Sequence, residues 1–249
     1  MNILEIKKEA AQFSRTTRAD AWLLTIIFSV PTVLFSAMPF ILELFFKSLN
    51  LKAIFTLPIF SIISLFYSLI VSSFFIGEKA WLSGEINNSR LGIKRLTFWF
   101  KPKYSVKAFI LKTIIFILKS ITTIILLCPA IFLISVIIYL AFTGGIEIVV
   151  FISITVASII LFLSGIIFAF IINQIYFLSE YLYICNPNMT VSDTIKRSKN
   201  LLDGHIFTIV KFKLSFLPLF LSWILIVPAI IFRPYYKLSC SILAKELCL

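Results

Sequence analysis

The chain has 249 residues, 60% of them hydrophobic and only 14% charged, with a mean hydropathy of +1.06; soluble domains run at about 45–50% apolar and about 25% charged. A water-soluble core cannot absorb that excess, so the composition predicts an all-α, polytopic membrane protein forming one helical membrane domain over residues 1–249. Lys and Arg number 23 against 11 Asp and Glu, a formal charge of +12; the cations fall in short polar segments between apolar runs, which points to the anionic inner leaflet as partner and away from nucleic acid.

Residues 1–20 place Ile3, Ile6, Ala10 and Phe13 at helical spacing, with Lys7, Lys8, Arg15 and Arg18 between them. This pattern predicts an N-terminal interfacial helix, with a solvated terminus as the alternative. The first apolar run, Ala21–Phe46, has no small-residue cleavage site and is expected to stay as the first anchor, interrupted by Pro31 and Pro39. Glu43 and Lys47 are four apart near its end, an order that favours a local ion pair. Span two is expected over Ile54–Ile76.

Residues 77–107 are predicted to be a basic cytoplasmic loop carrying Lys79, Arg90, Lys94, Arg95, Lys101, Lys103 and Lys107 among Trp81, Phe98, Trp99 and Phe100. Cations beside tryptophans suit the headgroup layer, which makes Lys94, Arg95, Lys101 and Lys103 candidate lipid headgroup contacts.

Span three, Ala108–Phe142, would measure roughly 52 Å as one helix, longer than the hydrocarbon layer. Lys112 and Lys119 share a face and can snorkel to the basic side, leaving Ile121–Phe142 as the crossing, with a kink expected at Pro129. The TGGIE segment, Thr143–Glu147, reads as a tight outer hairpin. Span four runs from Ile148 to about Ile172 and continues, more polar, through Asn173, Gln174 and Glu180 to Tyr183; Ser158, Gly165 and Ala169 give it a small-residue face for close helix approach.

Segments 1–20, 77–107 and 185–205 hold 14 Lys or Arg, whereas the opposite-side connections hold Lys47 and Lys52. The positive-inside bias therefore predicts a cytoplasmic N-terminus in the cell membrane.

Residues 185–205 read as a cytoplasmic elbow helix. Asn186-Pro187-Asn188 ends the preceding helix, Thr190 and Asp193 form a T-x-x-D capping box, and Gly204 stops the new one. Val191, Ile195, Ser198 and Leu202 share a face expected to rest on the inner leaflet; Lys196, Arg197 and Lys199 point elsewhere and are further candidate headgroup contacts. A connector without lipid contact is the alternative. After span five, Ile206–Leu225, periodicity leaves two choices for Ile226–Leu249: the outer end of a tilted span with an external tail, or a turn near Pro228 and a returning sixth helix.

The runs YLYICNPNMTVSDTIKRSKNLLDG, FKLSFLPLFLSW and RPYYKLSCSILAKEL resemble the bacterial integral-membrane family known as domain of unknown function number 975. The resemblance is carried by Asn186, Pro187, Ser198, Gly204, Leu214, Ser215, Phe216, Pro234 and Tyr235. Leu163-Ser164-Gly165 stands where that family often has Ile-Pro-Gly, and Trp223 falls later than its usual position. What the resemblance implies is the returning sixth helix and a cytoplasmic C-terminus, hence five firm spans plus that helix; it implies no activity.

Little catalytic chemistry is legible. His205, the single histidine, has only Asp203 beside it, and no metalloprotease helix, nucleophile elbow or glycine-rich phosphate loop occurs. Cys128, Cys185, Cys240 and Cys248 lack metal spacing and read as reduced thiols, so no cofactor or metal is expected. Asn173, Gln174 and Glu180, with Lys112, Lys119, Lys211 or Lys213 as cationic partners, form the candidate intramembrane polar cluster.

The expected function is a non-enzymatic accessory, immunity or assembly factor that binds a membrane protein or lipid partner. A small permease or channel component is the alternative, and an intramembrane lipid enzyme comes third.

Overall fold

The computed structural model describes residues 2–16, 53–86, 98–143, 147–221 and 226–248, and among them no strand occurs. In chain order the helices are α1 (Ile3–Thr16), α2 (Ala53–Ile86), α3 (Pro102–Thr143), α4 (Ile148–Ile172), a 3-10 turn (Asn173–Tyr176), α5 (Ser179–Cys185), α6 (Val191–Leu202), α7 (Ile206–Leu214), α8 (Leu217–Leu221) and α9 (Ile226–Cys248). Among the described residues, three stretches are long and apolar enough to cross a membrane: Ile62–Gly84, Pro102–Phe142 and Ile148–Cys185. The expected first span Ala21–Phe46, the outer turn around Gly144 and Gly145, Lys94 and Arg95 lie outside the described residues.

Among the described residues, helices α3 and α4 share the most extensive interface. Ser158, Gly165 and Ala169 are the buried residues of α4, the small-residue face expected from spacing. A methyl group on Gly165 would stand 2.8 Å from the Leu126 carbonyl oxygen and 3.0 Å from Leu127 Cδ2, so the close crossing requires glycine there. The outward faces are greasy: Phe116, Ile125, Phe142, Ile148 and Ile160 are all exposed, as suits a surface solvated by acyl chains rather than water.

Two expected boundaries shift. The predicted loop at 77–107 is helical at both ends, because α2 continues to Ile86 and α3 starts at Pro102. Buried packing of Gly77, Ala80, Trp81 and Leu82 outweighs the modest helix penalties of two glycines, Gly77 and Gly84. Pro102 sits at the first position of α3, where its missing N–H costs no intrahelical bond. The helix also runs on through Pro129 without interruption.

The N-terminal helix is capped by Asn2, whose Oδ1 accepts the Leu4 N–H at 3.1 Å while its amide donates to Glu5. The predicted apolar face is real, but Ile6 (1% exposed) and Ala10 (0%) bury against protein, in a cluster with Phe212, Phe216, Leu238 and Leu243. Periodicity identified the face; α9, not lipid, covers it. A second cluster joins Ile76 and Ala80 of α2, Trp99 in the turn before α3, Leu111 and Ile115 of α3, and Tyr183 and Ile184 of α5. Most of these residues belong to the last third of α2, the first third of α3 and the stretch after α4, so the packed cores gather at the end of the long helices away from Glu147.

Candidate functional site

That end of the molecule carries a charged network. Glu78 and Lys79 are neighbours on α2, and a helix turns about 100° per residue, so the two serve different partners. Glu78, 5% exposed, accepts Lys237 Nζ of α9 on both carboxylate oxygens at 2.5 Å. Lys79 donates to Glu180 of α5 and lies 5.1 Å above the Tyr181 ring.

The three residues of the predicted polar cluster reach three different elements. Glu180 binds α2 through Lys79. Gln174 Oε1 accepts from Lys213 of α7 at 2.5 Å, and its Nε2 donates to the Phe170 carbonyl at 2.6 Å. Asn173 Nδ2 donates to Thr123 Oγ1 of α3 at 3.3 Å. Of the four cations expected nearby, Lys213 is engaged directly. Lys112 and Lys119 lie within electrostatic reach of Glu180, and Lys112 Nζ sits 4.0 Å over the Phe75 ring. Lys211 is exposed. Sequence reasoning missed Glu78 and its pairing with Lys237; the available signal was an adjacent Glu-Lys pair in a helix otherwise nearly free of charge.

The helix at Val191–Leu202 has the expected cap and stop residues at its ends. Thr190 caps α6, its Oγ1 accepting the Asp193 N–H at 3.1 Å, and Gly204 takes the left-handed conformation at φ 80° after the helix end. The face expected to rest on lipid is turned to protein instead. Ser198 donates to the Ile175 carbonyl at 2.9 Å, Thr194 and Leu202 are fully buried, and Val191 and Ile195 pack on the Trp99–Tyr183 cluster. The 3-10 turn supplies the reason, since its Ile175 carbonyl is open to a side-chain donor.

Among the candidate headgroup cations, Lys101, Lys103, Lys196, Arg197 and Lys199 are exposed. Lys101 lies over the Phe98 ring and Lys103 over Tyr104, while Arg197 lines a cavity of about 300 Å³ with Ser83, Tyr181, Cys185, Asn186 and Lys245. Lys107, counted with the basic loop, donates to the Pro187 carbonyl at 2.9 Å and so ties the Asn-Pro turn to α3. His205 is exposed, and all four cysteines are free thiols.

The C-terminal motif residues hold α1 in place. Lys7 Nζ donates to the Ser215 carbonyl at 2.9 Å and sits 4.4 Å over the Phe216 ring, and Tyr235 OH donates to the Lys7 carbonyl at 3.3 Å. Burial there holds the Lys7 ammonium below its usual pKa. A family model described as "Protein of unknown function (DUF975)" matches residues 1–247. No curated protein and no solved structure matches the chain.

Proposed function

The chain belongs to the DUF975 family, and from that premise we propose that it is a non-enzymatic, multi-pass cell-membrane protein acting by binding a lipid or a membrane-protein partner, as an accessory, immunity or assembly factor does. The topology we infer has five spans, a returning sixth helix and both termini in the cytoplasm. A single helical membrane domain then places the α1 face, the elbow and the charged network together at the inner surface.

One observation carries this reading: both carboxylates of the network, Glu78 and Glu180, are held by lysines from other helices. Carboxylates clamped in this way are engaged in joining α2 to α5 and α9, whereas a general base needs a carboxylate poised against its substrate. The exposed cations of α6 and of the start of α3 face outward, where each adds about 1 kcal/mol of attraction to an anionic leaflet. Purification of the full chain in mild detergent, with identification of retained proteins and lipids, tests the proposal. A specific partner or lipid class held at constant stoichiometry is expected; a chain isolated alone under every condition, with no membrane phenotype on deletion, would contradict it.

A permease or channel component is the second reading, favoured by the polar cross-helix contacts of Asn173 with Thr123 and Gln174 with Lys213. Solute flux in reconstituted vesicles that Glu180→Ala abolishes would select it over the first.

A further inference from the structure

Helix α9 packs against α2, α5 and α6, and where the four meet they leave a cavity of about 300 Å³. Ser241, Ala244, Lys245 and Cys248 of α9 line it, and their spacing of three, four and seven puts them on one face of that helix. Ser83 comes from α2, Leu182 and Cys185 from α5, and Arg197 from α6. Cys248 lies within electrostatic reach of both Arg197 and Cys185, so three of these helices bring groups to one opening.

The charges at that opening are of one sign. Arg197 and Lys245 are exposed, and none of the described lining residues is acidic. The ion pairs among the described residues are Lys79 with Glu180 and Lys237 with Glu78, so neither cation of the mouth has a carboxylate of its own. The floor is different in kind: Leu182, Ser241 and Ala244 are 3%, 2% and 1% exposed, a mainly apolar surface with one hydroxyl.

Charge and size together select a ligand. A phosphate monoester carries about −1.5 to −2 charges at neutral pH, with three strong acceptor oxygens, which matches one guanidinium fork and one ammonium. A phosphodiester or a carboxylate, with a single charge, leaves one of the two cations uncompensated. The cavity volume falls at the lower end of the range of small-molecule sites, about 300–1,000 Å³, and equals roughly ten waters at about 30 Å³ each, more than a bare oxyanion fills. The remaining space lies over Leu182 and Ala244, which suits a compact uncharged body.

We propose that this cavity binds a small phosphate monoester, its dianion held at the mouth by Arg197 and Lys245 with the half-buried Ser83 hydroxyl as a further donor, and its organic body on the floor of Leu182 and Ala244. A soluble monoester and a lipid whose headgroup is a bare phosphate offer the same chemistry, and the test separates them. Such a site goes beyond partner binding, because carrying a partner does not require the cavity to be filled.

The two thiols of the lining report occupancy. The full chain in neutral detergent is treated with N-ethylmaleimide, and alkylation of Cys185 and Cys248 is followed by peptide mass spectrometry relative to Cys128, which is exposed on α3 and outside the cavity. Glycerol 3-phosphate, short-chain phosphatidic acid, dimethyl phosphate and sodium chloride are compared at equal ionic strength. A monoester should slow alkylation of Cys185 and Cys248 saturably and leave Cys128 unchanged, while dimethyl phosphate matches chloride. Arg197→Gln and Lys245→Gln should each raise the half-protecting concentration roughly tenfold, whereas Lys8→Gln, which removes an exposed charge of α1, should match the parent. Protection by glycerol 3-phosphate supports the site with a soluble source, and protection by phosphatidic acid alone supports it with a lipid source. No protection by either monoester, equal protection by dimethyl phosphate, or equal half-protecting concentrations in the parent and both variants would overturn the proposal. Retention of a partner in mild detergent would stand whatever the outcome, and protection would stand for a chain isolated alone, so the two readings fail separately.

Discussion

Lys79 and Glu180 stand 101 residues apart in sequence and form an ion pair between α2 and α5, with side chains 31% and 18% exposed. Removing one partner of a buried pair strands the other charge, at about 3–5 kcal/mol when burial is complete. The partial exposure here lowers that penalty, so Glu180→Ala should destabilise by roughly 1–3 kcal/mol. The double variant Lys79→Met/Glu180→Ala, which strands no charge, should recover much of the loss. Thermal unfolding in detergent across the full double-mutant cycle checks this; additive losses would mean the two groups do not interact.

Gly165→Ala should lower stability by about 1–3 kcal/mol, because the new methyl group meets the Leu126 carbonyl at 2.8 Å and the α3–α4 crossing must widen. Ile167→Leu, at an exposed position of α4, is the control and should leave the unfolding temperature unchanged.

Ser198→Ala removes the donor that ties α6 to the Ile175 carbonyl and should cost about 1 kcal/mol. The effect should be local: amide hydrogen exchange quickens in α6 and the 3-10 turn, with α3 and α4 protected as before. Uniform quickening throughout the chain would show that the bond supports the whole fold rather than the elbow.

Ile6→Asp should detach α1. Ile6 is buried with Leu243 and Phe216 in one cluster, and an unpaired carboxylate there cannot be accommodated. Limited proteolysis should cleave within residues 2–16 in the variant and spare the parent. Equal resistance of both would place the stabilising contact of α1 elsewhere.

The features legible in the sequence were local ones. The Thr190 cap on the Asp193 N–H, the stop at Gly204 and the small-residue face of Ser158, Gly165 and Ala169 each follow from spacing within one helix, where geometry fixes neighbours three, four or seven residues apart; the return arm of the expected capping box differs, because the Asp193 carboxylate accepts the Thr190 hydroxyl rather than its backbone N–H. The apolar faces of α1 and α6 were equally visible, but periodicity says which residues share a face and not what covers it, so the expected lipid proved to be protein in both cases.

Partners across the molecule were the least legible. Lys237 is 159 residues from Glu78, and nothing in the local pattern joins them. The polar cluster was anticipated at Asn173, Gln174 and Glu180 because polar groups stand out at the end of an apolar run, yet its cations were found only in part. Lys213 is engaged and Lys211 is exposed, although both lie near the start of the same apolar segment, Ile206–Leu225.

The central claim is that long apolar helices cross the membrane with the elbow on the inner side. Its most direct test is labelling by a membrane-impermeant maleimide of single-cysteine chains, with the four native cysteines replaced, carrying either Glu147→Cys at the start of α4 or Ser192→Cys on the exposed side of α6. Glu147→Cys should react in intact cells, and Ser192→Cys only after the membrane is opened. Labelling of Ser192→Cys in intact cells, or recovery of the chain in the soluble fraction without detergent, would contradict the account.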